Sequence, residues 1–176
     1  MSEMLFLMVE GNDDERFFDK IIKPLFYDRF EKIKIWQHAQ KSRETIEKML
    51  LSINNMQADY IYIEDLDQEK NISIKKSMIL KKTDYINQEK IAIVVKEIES
   101  WYLAGLSRKD ADELGIAYVE QTDNIYKEDF NKLISLEYDS SRINTMHEIL
   151  KCYSINLAQK RNNSFAYFID NFVKNV

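Results

Sequence analysis

Three short apolar runs in this chain each stop at acidic residues, and that arrangement narrows the folds open to it. Met4–Val9 ends at Glu10-Gly11, Asp59–Ile63 ends at Glu64-Asp65-Leu66-Asp67, and Ile91–Val95 ends at Lys96-Glu97-Ile98-Glu99. Runs this short, bounded by polar residues, read as strands of a sheet rather than as core helices. In an open α/β sheet, ligands bind outside the carboxyl ends of the strands, so three such endings can share one site. Carboxylates gathered there repel one another unless a divalent cation holds them together. That is the physical case for a Mg²⁺ or Mn²⁺ site, and phosphoryl transfer is the commonest use of one.

The segments between the runs carry helical spacing. After Met4–Val9, Asn12 with Glu15 three residues on makes a capping-box pattern. Phe17, Phe18, Ile21, Ile22 and Leu25 then form a buried stripe, with Pro24 inside it as a kink or stop. Lys32–Trp36 alternates lysine with isoleucine and suits a second strand. Ser42 caps a second helix with Ile46, Met49, Leu50 and Ile53 on its inner face. Gln68–Asn87 fits neither period cleanly, but a parallel strand after it requires a crossover helix. Beyond Ile91–Val95 the pattern is helical: Ile98 to Gly105, Lys109–Leu114, Lys127–Leu133, Ser141–Lys151 and Ser164–Val173, the last opened by a Ser164 cap. The expected architecture is therefore α/β, a mainly parallel four-stranded sheet flanked by helices over residues 1–105. A helical C-terminal extension over 106–176 packs on the same domain.

Composition excludes several classes. The 176 residues are 45% hydrophobic, enough to bury a core, and only three Gly and one Pro interrupt them. Cys152 is the single cysteine, so there is no intrachain disulfide; with His38 and His147 the only histidines, a structural zinc site is not expected. No apolar run approaches the roughly 18 residues that would span a membrane. The first strand follows an acidic start rather than a signal-peptide pattern, so a cytoplasmic protein is expected. The formal net charge of −5 argues against a stand-alone DNA-binding surface, and metal ions or a partner protein would have to supply attraction to nucleic acid. There is no Walker loop and no Gly-x-Gly-x-x-Gly fingerprint.

The segment MLFLMVEGNDDERFF resembles the first motif of a Toprim domain: an apolar strand, Glu-Gly, then an acid four residues after the Glu. YIYIEDLDQEK resembles the second, a strand ending in Asp-x-Asp. VVKEIESWYLAG is similar to a Glu-x-Glu-x-Trp-Leu-x-Ala stretch of a small Toprim-like bacterial family, and SFAYFIDNF to that family's closing Ser-Phe-x-x-Phe helix. The resemblance implies a Toprim-like, Rossmann-like fold in which Glu10, Asp14, Asp65 and Asp67 bind Mg²⁺ or Mn²⁺. Glu10 would assist acid–base chemistry, and Glu97 and Glu99 would form the third acidic element. Lys96, where Arg is equally expected, would stabilise phosphoryl charge as a point cation. The family's relatives include nucleases of the overcoming-lysogenization-defect type. Its genes often lie beside ATPases, which implies a nucleic-acid substrate, an ATPase partner and a part in phage defence.

Each candidate also has a structural reading. Glu10 suits a solvated turn, and Asp65 and Asp67 suit a polar turn before a helix. Their side chains share one side only if the strand continues through them. Asp13, Asp14 and Glu15 in a first helical turn stabilise the helix dipole unaided. Glu97 and Glu99 lie about 200° apart on a helix but on one side of a strand. Glu64 faces away and reads as structural, His38 as a turn residue, His147 as a helix-surface residue, and Trp36, Trp101 and Tyr102 as core. Three functions stay open: a metal-dependent Toprim nuclease, a non-catalytic partner or sensor subunit of an ATPase complex, and a small phosphatase.

Overall fold

A computed structural model describes residues 3–134 and 141–174. The chain divides into two compact units, Met1–Ile93 and Val94–Val176. Four strands, β1 (Met4–Val9), β2 (Lys32–Gln37), β3 (Asp59–Asp65) and β4 (Ile91–Val94), form one parallel sheet in the order β2-β1-β3-β4. β1 lies at the centre, with Leu5 opposite Ile33 of β2 and Asp59 of β3, and Leu7 opposite Ile35 and Ile61. Leu5, Leu7 and Val9 are almost fully buried, and each such side chain contributes about 1.5–3 kcal/mol. From β1 the chain crosses one way to β2, and β3 then joins the opposite edge of β1. That reversal makes the β1/β3 boundary a topological switch point.

Helix α1 (Asn12–Phe17) follows β1 and widens into a π turn over Phe18–Ile22, then tightens into a 3-10 turn over Lys23–Phe26. Pro24 falls in the first turn of that last piece, where its missing N–H costs nothing. The cap sits one residue earlier than the sequence pattern suggests. Gly11 precedes the helix, and Asp14 rather than Glu15 accepts from the Gly11 amide, at 3.1 Å. Helix α2 (Arg43–Asn55) opens on Ser42, whose hydroxyl accepts from Thr45 N, and buries Ile46, Leu50 and Ile53. The ambiguous stretch resolves as α3 (Ile72–Lys82), capped by Asn71.

The second unit carries α4 (Glu99–Ala104), α5 (Arg108–Glu113), α6 (Lys127–Leu133), α7 (Arg142–Lys151), α8 (Ile155–Arg161) and α9 (Asn163–Phe168), the last continuing as a π turn over Ile169–Val173. Every residue of α4 is buried, and this helix packs on α6, α7 and α8. The two units meet between residues 93 and 94, and α4 groups with the helices that follow it. Trp101 of α4 meets Phe165 edge-on at 5.1 Å and Phe168 at 5.3 Å. Ser164 does not cap the last helix. Asn162 does, accepting from Phe165 N, while the Ser164 hydroxyl accepts from Trp101 Nε1 and Val95 N and donates to Asn162 Oδ1. Arg161, almost fully buried, donates to the carbonyls of Leu103, Ala104, Leu106, Val119 and Glu120.

Candidate functional site

The carboxyl ends of β1 and β3 bring the first two acidic motifs together. Glu10 is the residue after β1, and its Oε2 accepts a hydrogen bond from the Asp65 amide at 3.0 Å. Asp65 is the last residue of β3 and is buried. The strand does not continue to Asp67, which takes a left-handed backbone at φ 53°. The Asp67 carboxylate instead turns to Lys75 of α3, with Nζ···Oδ2 at 2.8 Å. Lys75 is itself buried at 7% exposure, so a lysine ammonium is held among these acids.

Electrostatics reflect this crowding. Burial raises the Glu10 carboxyl above its ordinary value; the Asp65 amide opposes that, the charges of Asp67 and Glu64 add to it, and Lys75 offsets part. Burial alone would lower the Lys75 ammonium, but the Asp67 hydrogen bond and the charges of Glu64, Asp67 and Glu10 outweigh it and raise it. Asp14 is also buried, and its Oδ2 serves the Gly11 amide at the start of α1. The first-turn structural role is thus visible for Asp14.

The opposite side of β3 holds residues that sequence reasoning passed over. Glu64 is buried, pairs with Lys82 Nζ through Oε1 at 2.5 Å, and has an Oε2 with no hydrogen-bond partner among the described residues. His38 follows β2, its loop pinned to β1 by His38 N to Val9 O and Ala39 N to Glu10 O. It lies in the turn after β2, as the sequence suggests, and it is buried. Its Nε2 donates to Ile63 O at 2.8 Å, which leaves Nδ1 to accept from the Tyr62 hydroxyl at 3.3 Å. The two rings stack at 4.4 Å, and burial lowers the His38 pKa and raises that of Tyr62. Together with Glu10, Lys41 and Arg43, these residues line a pocket of about 400 Å³. The signal for Tyr62 and Glu64 was period-two alternation along β3; for His38 there was none, because its partners lie far away in sequence.

The third acidic motif lies at the start of the second unit. β4 ends at Val94 and Lys96 has φ 66°, so the extended backbone that would align Glu97 with Glu99 is broken. Glu97 Oε2 accepts from the Lys127 amide at the start of α6. Glu99, in the first turn of α4 and buried, is ion-paired with Arg142. The Lys96 ammonium lies 4.8 Å from the centre of the Tyr126 ring. Each of the three is thus engaged within its own unit.

The donor chemistry of Glu10, Asp65 and Asp67, all hard oxygens, suits Mg²⁺ or Mn²⁺. As arranged here, no group of three or more His, Cys, Asp or Glu side chains among the described residues is placed to hold a metal ion. Asp67 would have to exchange its lysine for the cation. Among the described residues no helix is long and apolar enough to cross a membrane. In comparison with known proteins, no family model, no curated protein and no solved structure matches this chain.

Proposed function

We propose that the chain is a Toprim-type nuclease that hydrolyses phosphodiesters with Mg²⁺ or Mn²⁺ at the ends of β1 and β3. The observation that carries this reading is the Glu10–Asp65 hydrogen bond, because it sets two motif acids at the switch point where α/β sheets bind ligands. Glu10, Asp65 and Asp67 would hold the cation. A bound divalent cation supplies Lewis-acid stabilisation of charge at the phosphoryl group under attack. Glu10, its carboxyl raised by burial and by neighbouring acids, is the group placed to pass a proton. Asp14, Glu97, Glu99 and Lys96 enter this reading through the motif resemblance alone. A nucleic-acid substrate, an ATPase partner and a role in phage defence are part of the same proposal.

The Lys75–Asp67 ion pair favours a second reading. A resident ammonium already neutralises part of the acidic cluster, which a non-catalytic partner or sensor subunit of an ATPase complex would need for stability alone. Titration of Mn²⁺ and Mg²⁺ into the parent and an Asp65→Ala/Asp67→Ala variant separates the two. The nuclease reading expects saturable binding that the variant abolishes, together with DNA or RNA cleavage that Asp67→Ala removes. Absence of binding to the parent, with or without nucleic acid, gives the second reading precedence.

A further inference from the structure

The pocket beside β3 is chemically two-sided. Glu10 and Glu64 contribute acceptors to it, and Lys41, Arg43 and Lys82 contribute cations, of which Lys82 is paired with Glu64 Oε1 and Arg43 with Glu47. Glu64 is 6% exposed and its Oε2 has no hydrogen-bond partner among the described residues, an arrangement that costs free energy in the absence of a donor. Lys41 and Arg43 flank Ser42, the cap of the thirteen-residue helix α2, so the positive end of the helix dipole lies between two cationic side chains. Ile46 and Tyr62 supply apolar surface along the same wall.

These features select the ligand. Lys82 balances the charge of Glu64 but leaves its Oε2 as an open acceptor, while Lys41 and Arg43 stand at the α2 end of the pocket. The pocket suits a molecule that donates hydrogen bonds at one end and is anionic at the other. A volume of about 400 Å³ is in the range of small-molecule sites and is large enough for a single nucleotide. We propose that this pocket binds a nucleotide whose base carries an amino group, with the base edge on Glu64 and the phosphate at Lys41 and Arg43. Guanine, adenine and cytosine each present an amino donor that a carboxylate oxygen accepts; uracil has no amino group and offers only its single ring N–H between two carbonyls. The Tyr62 and Ile46 walls give the base an apolar surface to lie against. This binding requires neither a divalent cation nor phosphodiester cleavage, and so goes beyond the nuclease reading.

The test is calorimetric titration of GMP, AMP, UMP and inorganic phosphate into the full chain in the presence of EDTA, which keeps the metal question separate. GMP and AMP should bind saturably, with UMP and phosphate at least about tenfold weaker. Lys41→Ala/Arg43→Ala, at exposed positions that leave the core untouched, should weaken GMP by about tenfold. Glu64→Gln should erase the preference for GMP and AMP over UMP. The proposal is overturned if no nucleotide binds in EDTA, if phosphate binds as tightly as GMP, or if the Lys41/Arg43 variant binds like the parent. Loss of nuclease activity, read separately, bears only on the acids of the switch point.

Discussion

Trp101 Nε1 donates to Ser164 Oγ at 2.8 Å, joining the third acidic motif to the closing Ser-Phe motif across 63 residues of chain. The same hydroxyl accepts from Val95 N, at the mouth of the turn that carries Lys96 and Glu97. One serine therefore fixes both the indole and the backbone entering that turn.

Ser164→Ala should leave both donors short of this acceptor in a buried setting, at a cost of about 1–3 kcal/mol. Urea denaturation followed by tryptophan fluorescence reads it directly. An unchanged midpoint would mean that the hydroxyl contributes nothing beyond its volume.

Arg161 holds five carbonyl oxygens from the α4 end and from the segment before α6. Arg161→Met should cost about 3 kcal/mol or more, because several buried acceptors lose their donors at once. Arg161→Lys keeps the charge but not the planar fork, and should recover less than half of the loss. Parallel denaturation of the two variants decides this, and equal stability of both with the parent would refute it.

Glu10 and His38 act on stability in opposite pH ranges. The Glu10 carboxyl is raised by burial, so the folded state binds its proton more tightly than the unfolded chain does. Its ionisation subtracts stability as pH rises above about 4.5, and the penalty is complete above the folded value. Glu10→Gln, which can still accept from the Asp65 amide, should therefore be more stable than the parent at pH 7 and equal to it below pH 4.5. His38 is lowered by burial, so the unfolded chain gains a proton below about 6.5 that the folded ring refuses. Stability should fall as pH drops through 6.5, and His38→Phe should flatten that slope. Denaturant midpoints measured from pH 4 to pH 8 test both signs.

Lys75→Met tests whether the acids of the switch point belong to a cation. On the nuclease reading it frees Asp67 and should raise Mn²⁺ affinity by about tenfold, the equivalent of roughly one pKa unit of interaction. Unchanged or absent Mn²⁺ binding in this variant would favour the non-catalytic reading.

Much of the sheet is legible from sequence because its strands are nearly continuous apolar runs: β1 matches Met4–Val9, and β4 is buried at all four residues. α3 was obscure for a physical reason. Its inward face carries Lys75 with Ile79, while Ile72, Ile74 and Met78 are exposed, so the apolar period is inverted where the lysine turns toward the acids. The pairing of Glu10 with Asp65 follows from strand order, which motif spacing suggests. The roles of Glu64, His38 and Tyr62 depend on contacts between strands that no local pattern encodes. Gly11 and Asn162 took the capping roles assigned to Asn12 and Ser164, because polar neighbours one or two residues apart compete for the same position.

The central position of β1 has a consequence for how the molecule is made. Residues 4–9 pair on one side with residues 32–37, and residues 5–8 pair on the other with residues 59–62. Parallel partners cannot close by a hairpin, so the strand must wait for each crossover to be synthesised. At ribosomal rates of about 5–20 residues per second, the wait for β3 is on the order of several seconds. Once β2 has been made it can cover one edge of β1, but the edge that β3 will cover stays open until β3 follows. Nascent-chain aggregation should therefore track the interval between translation of β1 and of β3, and a pause placed within α2 should worsen it more than one placed after β4.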